Sequence, residues 1–259
     1  MNMGLASRTA IVCASSRGLG KACALALAAE GVGITINGRD PDRLEATADE
    51  IRRATGAPVT AVVADLDTDA GRDHLLAACP APDILVTNNG GPLPGRFLDW
   101  DHAAWLAALE ANLLAPVMMI RGVIAGMQAR RFGRIVNITS AMVGAPHPAM
   151  GLSTAARSAL TAVCKGVSKE VARDNVTINN LLPERIDTDR QRFMAQVRAQ
   201  MASITIEEAY AEMAESIAAQ RLGTPEEFGA ACVFLCGALS GFVSGQNLRI
   251  DGGSYPGVM

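Results

Sequence analysis

Short apolar, β-branched runs recur along the chain, and each gives way to a turn and then to a segment with apolar residues at helical spacing. The first run covers residues 8–13 (RTAIVC), followed by CASSRGLG and an Ala-rich stretch, KACALALAAEG, that closes on Gly31. The predicted order is strand, glycine turn, helix. The unit repeats as strand 33–37, helix 41–54, strand 59–64, helix 69–78 and strand 83–87. One long helical stretch, 101–130, precedes the apolar strand 134–139, and 151–173 reads as helix ahead of strand 176–182. Strands separated by helices require right-handed crossovers and so lie parallel. Residues 190–220 break the rhythm: rich in Met, Gln, Ala and Glu, they carry helical spacing without a strand and predict an inserted helical lid. The last helix, 225–236, opens with the cap Thr224 before Pro225 and Glu226, and NLRI at 247–250 supplies a final strand. With no linker or repeat, residues 1–259 are expected to form one α/β domain.

Composition narrows the function. Hydrophobic residues make up 49% of the chain and aromatics 4%, so the core must be aliphatic, as in parallel sheets wrapped by helices. A formal charge of -3 with no run of Lys or Arg gives no footprint for nucleic acid or an anionic membrane, and a small-molecule partner is expected. No apolar run is read as reaching the roughly 20 residues that span a bilayer. The six cysteines follow no disulfide-framework spacing, which points to a reduced, cytoplasmic protein. Cys232 and Cys236 share a helical face, but no further ligand stands nearby; they read as buried small residues, and no metal site is expected.

In a turn between a strand and a helix, glycines let backbone approach a pyrophosphate, and the helix N-terminus offers amide donors. Gly18 and Gly20 stand at that place. Arg17 lies inside the turn and Arg39 follows the second strand in NGRD, where proteins that prefer NAD carry an acid for the ribose hydroxyls. Two guanidiniums there suit a 2'-phosphate, so NADP(H) is expected over NAD(H). Asp65-Leu66 and Asn88-Asn89-Gly90-Gly91 fall at the carboxyl ends of the third and fourth strands, where such sheets bind ligands.

Taken in order, CASSRGLG, Asp65, NNG at 88–90, Asn112, IVNITS at 135–140, LLPERIDTD at 181–189 and the closing GTPEEFGAACVFLCG and SGQNLRIDGG resemble the short-chain dehydrogenase/reductase family over nearly the whole chain. The resemblance implies a Rossmann-like, doubly wound parallel sheet of about seven strands with helices on both faces. It implies a nicotinamide cofactor across the strand ends, touched by Ser15, Ser16, Arg17, Gly18, Leu19, Gly20, Arg39, Asp65, Leu66, Asn88, Gly90, Arg157, Pro183 and Ile186. It also implies a homo-oligomer, a tetramer or dimer, packed through the long helices.

Family members move a hydride between the nicotinamide and a carbonyl or alcohol carbon, with a tyrosine handling the proton, a lysine lowering its pKa, and a serine and an asparagine in support. Ser140 and Asn112 match the last two, but AARSALT set against the family's ASKAALT puts Ser153 at the tyrosine and Arg157 at the lysine. An aliphatic hydroxyl is a far weaker acid than a phenol, and a guanidinium holds its proton at neutral pH. Arg157 is therefore expected to stabilise an oxyanion, with water or His147 supplying the proton. His147, between two prolines, reads more readily as a solvated surface group. Glu184 replaces the usual glycine after Pro183 and either binds a polar substrate or faces solvent. Tyr210 and Tyr255 lie in the lid and the tail, and Ala14 at the first glycine position is expected to avoid strongly positive φ. The lid's Met194, Met201, Ile204, Ile206 and Met213 read as pocket lining or as helix packing. Two functions stand: an oxidoreductase with a non-standard proton donor, and a catalytically silent NADP(H)-binding sensor or assembly protein.

Overall fold

The computed structural model describes residues 2–258. Its seven strands are β1 (Thr9–Val12), β2 (Gly33–Gly38), β3 (Val59–Val63), β4 (Ile84–Thr87), β5 (Gly133–Ile138), β6 (Val176–Pro183) and β7 (Asn247–Ile250). They form one parallel sheet in the order β3-β2-β1-β4-β5-β6-β7. The helices are α1 (Gly18–Ala29), α2 (Pro41–Thr55), α3 (Asp69–Ala78), α4 (His102–Leu109), α5 (Ala115–Arg130), α6 (Gly151–Val171), α7 (Asp189–Ala202), α8 (Ile206–Glu215) and α9 (Pro225–Cys236). This is the doubly wound Rossmann-like architecture expected from the sequence.

Both faces of the sheet are covered, which is why the central strands are continuous apolar runs rather than alternating ones. All residues of β4 and β5 are buried. One core layer joins the sheet to Leu27, Leu44, Ile51 and Phe228 of α1, α2 and α9. The opposite layer joins it to Leu75, Met119, Val123 and Leu160 of α3, α5 and α6. Each such side chain contributes about 1.5–3 kcal/mol on leaving water. Helices α1 and α9 meet at backbone distance: a Cβ on Gly229 would sit 2.8 Å from the Ala22 carbonyl oxygen. Cys232 and Cys236 are buried in that layer together with Cys23.

A largely buried polar ladder runs across four strands, from the carboxyl ends of β4 and β5 through the middle of β6 to the exposed first residue of β7. Thr87 Oγ1 donates to Asn137 Oδ1 (2.7 Å), Asn137 Nδ2 to Asn180 Oδ1 (2.9 Å), and Asn180 Nδ2 to Asn247 Oδ1 (2.7 Å). These residues are register partners on β4, β5, β6 and β7. Every donor faces an acceptor, so the cost of burying amides is met and the register is fixed.

Two sequence expectations are corrected. The stretch 101–130 is not one α-helix: a π-turn at Glu110–Leu114 separates α4 from α5, with the Ala115 amide donating to the Glu110 carbonyl. Pro116 is the cause, because it has no N–H for the carbonyl four residues back and its ring crowds that carbonyl. The same run, His102–Arg130, is also long and apolar enough by length and composition to cross a membrane, with a mean hydropathy of 1.6. A core helix passes the same test, and here Met119, Ile120, Val123 and Met127 are buried against the sheet. The 190–220 region forms α7 and α8, which pack on one another through Ala195, Ala199, Ala209 and Met213, with Met194 and Ile204 beside them. Met201 and Ile206 face outward.

Removing the middle of the ladder strands partners on both sides. Asn137→Ala is expected to cost about 2–4 kcal/mol in denaturant unfolding, whereas Asn247→Ala at the exposed end costs under about 1 kcal/mol. Equal losses would show that the ladder does not act as a chain.

Candidate active site

The cleft opens where the strand order reverses, between β1 and β4. Ala14, expected to avoid positive φ, has φ 43°. Two amide side chains hold it there: Ala14 N donates to Asn37 Oδ1 (3.2 Å), and Asn88 Nδ2 donates to the Ala14 carbonyl (3.1 Å). Clamping from β2 and β4 outweighs the intrinsic cost of about 1–2 kcal/mol. Helix α1 then begins at Gly18 (φ 57°) behind Arg17, with no side chain capping its first amides. Those N–H groups and the helix dipole are available to an anion. Gly20 has a packing role: a Cβ there would lie 2.5 Å from the Ala14 carbonyl oxygen. Ser15 is turned into the sheet, donating to the Val12 carbonyl (2.6 Å) and accepting from the Asn37 amide (3.0 Å).

A cleft of about 710 Å³ runs from this turn across the sheet. Ser16, Arg17, Gly18, Leu19, Arg39, Asp65, Leu66, Asn88, Gly90, Arg157, Pro183 and Ile186 of the sequence-derived set line it. At one end Arg17, Arg39 and Arg43 converge, each only loosely paired: with Asp189 at 3.8 Å, Asp65 at 3.9 Å and Asp40 at 3.9 Å. Side chains of Arg17 and Arg39 remain 61% and 73% exposed, so their donors are free for a bound phosphate. A Cβ on Gly38 would meet Ser16 at 3.0 Å, leaving little room for an acid ahead of Arg39. Open helix amides and three loosely held guanidiniums fit a phosphate-bearing dinucleotide.

Arg157 lies at the other end. Its Nη1 donates to the carbonyls of Ile138 and Thr139 (both 2.8 Å), its Nε to Ser153 Oγ (3.1 Å), and its Nη2 reaches Asn89 O at 3.5 Å. Residues four apart on α6 share a face, which brings Ser153 and Arg157 together. Ser153 accepts that bond and keeps its own proton to donate. Burial, with the nearby charge of Arg190, lowers the Arg157 pKa to about 10, and it stays charged at neutral pH. Ser140 Oγ accepts from the Met142 amide (3.2 Å) and caps the short turn after β5. Asn112, in the π-turn, donates to the Gly90 carbonyl (3.3 Å). Ser140, Ser153 and Asn112 are not among the cleft-lining residues: Ser153 and Asn112 are buried, and Ser140 is half-buried at the carboxyl end of β5 beside Thr139, which lines the cleft.

Neither tyrosine lines the cleft: Tyr210 donates to Asp187 (3.3 Å), and the ring of Tyr255 stacks on Arg249 at 3.3 Å. His147 is exposed, and its Nδ1 accepts the Ala149 amide (3.2 Å), so its free nitrogen is Nε2. Glu184 is largely buried, 3.5 Å from Arg185. Sequence reasoning missed Arg43, Thr188, Arg190 and Gln191, all of which line the cleft. Arg43 follows Arg39 by four residues, a spacing that could have identified it. Arg190 had no such signal, because its partner, the Pro92 carbonyl (3.0 Å), is 98 residues away.

The family model described as "Enoyl-(Acyl carrier protein) reductase" matches residues 13–255. The chain is 31% identical to the "Uncharacterized oxidoreductase YvaG" of Bacillus subtilis over 258 residues, 98% of each chain. It is 29% identical to the "NADPH-dependent reductase BacG" of the same organism, covering 98% of this chain and 100% of that one. The crystal structure of L-sorbose reductase from Gluconobacter frateurii, complexed with NADPH and L-sorbose, superposes with a TM-score of 0.95 at 27% identity, covering both chains fully.

Burial pushes the Glu184 carboxyl up from 4.5; Arg185 pulls it back, Asp251 adds to the rise and His147 opposes it. The folded state thus holds this proton more tightly than the unfolded chain, and Glu184's contribution to stability falls as pH rises from 4.5 through the raised value. Glu184→Gln is expected to have a higher Tm than the parent protein at pH 7, with the gap closing as pH falls toward 4.5. A lower Tm at pH 7 would mean that the Arg185 contact outweighs burial.

Proposed function

We propose that this chain, which belongs to the short-chain dehydrogenase/reductase family, is an NADP(H)-dependent oxidoreductase acting on a small carbonyl, alcohol or imine with a proton donor other than tyrosine. The observation that carries the reading is one continuous cleft with the Arg17, Arg39 and Arg43 trio at one end and Arg157 at the other. The trio, with the α1 amides, holds the 2'-phosphate and pyrophosphate. The NADPH dependence stated for BacG and the NADPH bound to L-sorbose reductase support the same choice. A bound nicotinamide supplies or accepts the hydride.

The chain's own residues handle the substrate oxygen. Ser153 and Arg157 take the places of the family's tyrosine and lysine. Arg157 polarises the Ser153 hydroxyl through their 3.1 Å bond, and Ser153 donates toward the substrate oxygen. Ser140 provides a second donor. Arg157 does not release a proton at neutral pH, so the proton comes from water or from His147. A substrate needing little acid assistance, such as a charged imine, suits this lining. α7 and α8 serve as the substrate lid. Exposed Leu106, Leu114 and Val163 on α4, the π-turn and α6 support association of copies through the long helices. A second reading, a silent NADP(H)-binding sensor, is favoured by the lack of a cleft-lining tyrosine among the described residues.

NADPH oxidation against a panel of carbonyls and imines, alongside calorimetric cofactor binding, separates the two readings. Tight binding with no turnover on any member would select the sensor. Arg39→Ala is expected to weaken NADPH about tenfold while leaving NADH nearly unchanged, and equal losses would overturn the phosphate assignment. Ser140→Ala is expected to lower turnover about a hundredfold; a neutral result would move the chemistry elsewhere.

A further inference from the structure

The acids that line the cleft are at its phosphate end, each beside an arginine: Asp40 with Arg43, Asp65 with Arg39, and Asp189 with Arg17. The other end differs. Arg157 and Arg190 both line it, and neither has a carboxylate within 4.0 Å among the described residues. Both reach the same loop after β4: a Cβ on Gly91 would lie 3.6 Å from Arg157 Nη2, while Arg190 Nη2 donates to the Pro92 carbonyl at 3.0 Å. The acceptors around Arg157 are all neutral, three carbonyls and a hydroxyl. Arg190 uses one donor of five, on one carbonyl. Two positive charges thus share a half-closed space with no counter-charge. Burial lowers the pKa of both, and the charge of Arg190 lowers that of Arg157 further.

The sheet's geometry places a dinucleotide with one mononucleotide on either side of the reversal point, so this end receives the nicotinamide. The oxidised ring carries a positive charge and the reduced ring none. We infer that Arg157 and Arg190 together select the neutral dihydronicotinamide over its cationic form, which makes this site a reductase site that takes up NADPH and expels NADP+. The inference rests on the NADP(H) reading of the preceding subsection. One cation beside the ring would oppose the oxidised form modestly. A second, with no acid to neutralise it, makes the opposition a selectivity, because in a partly desolvated cleft an added unit charge at side-chain range is worth about tenfold in affinity. Arg190 is the separable member of the pair. It lies on α7, holds no strand end, and has no hydrogen bond with Ser153 or Ser140.

Calorimetric titration of the full chain with NADPH and with NADP+ tests this without turnover. Arg190→Met keeps an unbranched, flexible stem and removes the charge; it is expected to lower the ratio Kd(NADP+)/Kd(NADPH) about tenfold, chiefly through tighter NADP+ binding. Arg190→Lys keeps the charge and is expected to retain most of the ratio. If Arg190→Met weakens both forms by the same factor, Arg190 grips a phosphate and the inference falls while the NADP(H) reading stands. If Arg190→Lys changes the ratio as much as Arg190→Met, the contact with Pro92 and not the charge is responsible, and the inference again falls. Failure of the parent protein to bind either form would remove the NADP(H) reading itself.

Discussion

A guanidinium buried without a carboxylate sets the electrostatics at the carboxyl end of the sheet. Taking an unpaired charge out of water costs several kcal/mol, and Arg157 recovers this through carbonyl dipoles at the end of β5, the Ser153 hydroxyl and the loop after β4. The bonds do more than offset desolvation. They tie α6 to β5 and to the Asn88–Gly91 loop, so the helix that carries Ser153 is fixed relative to the strand ends that form the cleft floor.

A second buried arginine shows what is particular about the first. Arg134, at the opposite end of β5, donates to the carbonyls of Gly133, Asn175 and Gly237 and to Asn175 Oδ1, with Phe132 against its guanidinium at 4.4 Å. All three of its nitrogens are well satisfied and it does not line the cleft, so it is a brace. Arg157 uses similar chemistry but leaves Nη2 facing the cleft with one long contact. One residue type serves as clamp at one pole of the strand and as an electrostatic element at the other, and the position of the cleft decides which.

The fold was legible because its signals are local: seven apolar runs, most followed by a turn and a helix, yield seven strands in a parallel sheet. The glycine turn and its neighbouring arginines were legible for the same reason, since Gly18, Gly20, Arg17 and Arg39 lie within short segments of strand–turn–helix units, and Arg17, Gly18 and Arg39 do line the cleft. What escaped depends on tertiary contact. The positive φ of Ala14 is imposed by Asn37 of β2 and Asn88 just past β4. Arg190 gains its place from a carbonyl across the cleft. The π-turn is an exception, since its cause, Pro116, stands in the sequence and only the apolar periodicity around it hid the break. Ser15 had the right position in the motif but a different partner, the Val12 carbonyl within its own turn.

These contacts share a dependence on strand register. The ladder from Thr87 through Asn137 and Asn180 to Asn247 runs one or two residues below the carbonyls of Ile138 and Thr139 that hold Arg157. A slip of one residue between β5 and β4 would turn Asn137 to the opposite face and carry those carbonyls away from α6. It would cost the ladder its satisfied amides and Arg157 its acceptors together, so the same error is penalised twice. Register and charge placement are therefore one constraint. That coupling explains how a helix can present an uncompensated cation to a cleft: the strands that stabilise it cannot move without leaving their own polar groups unpaired.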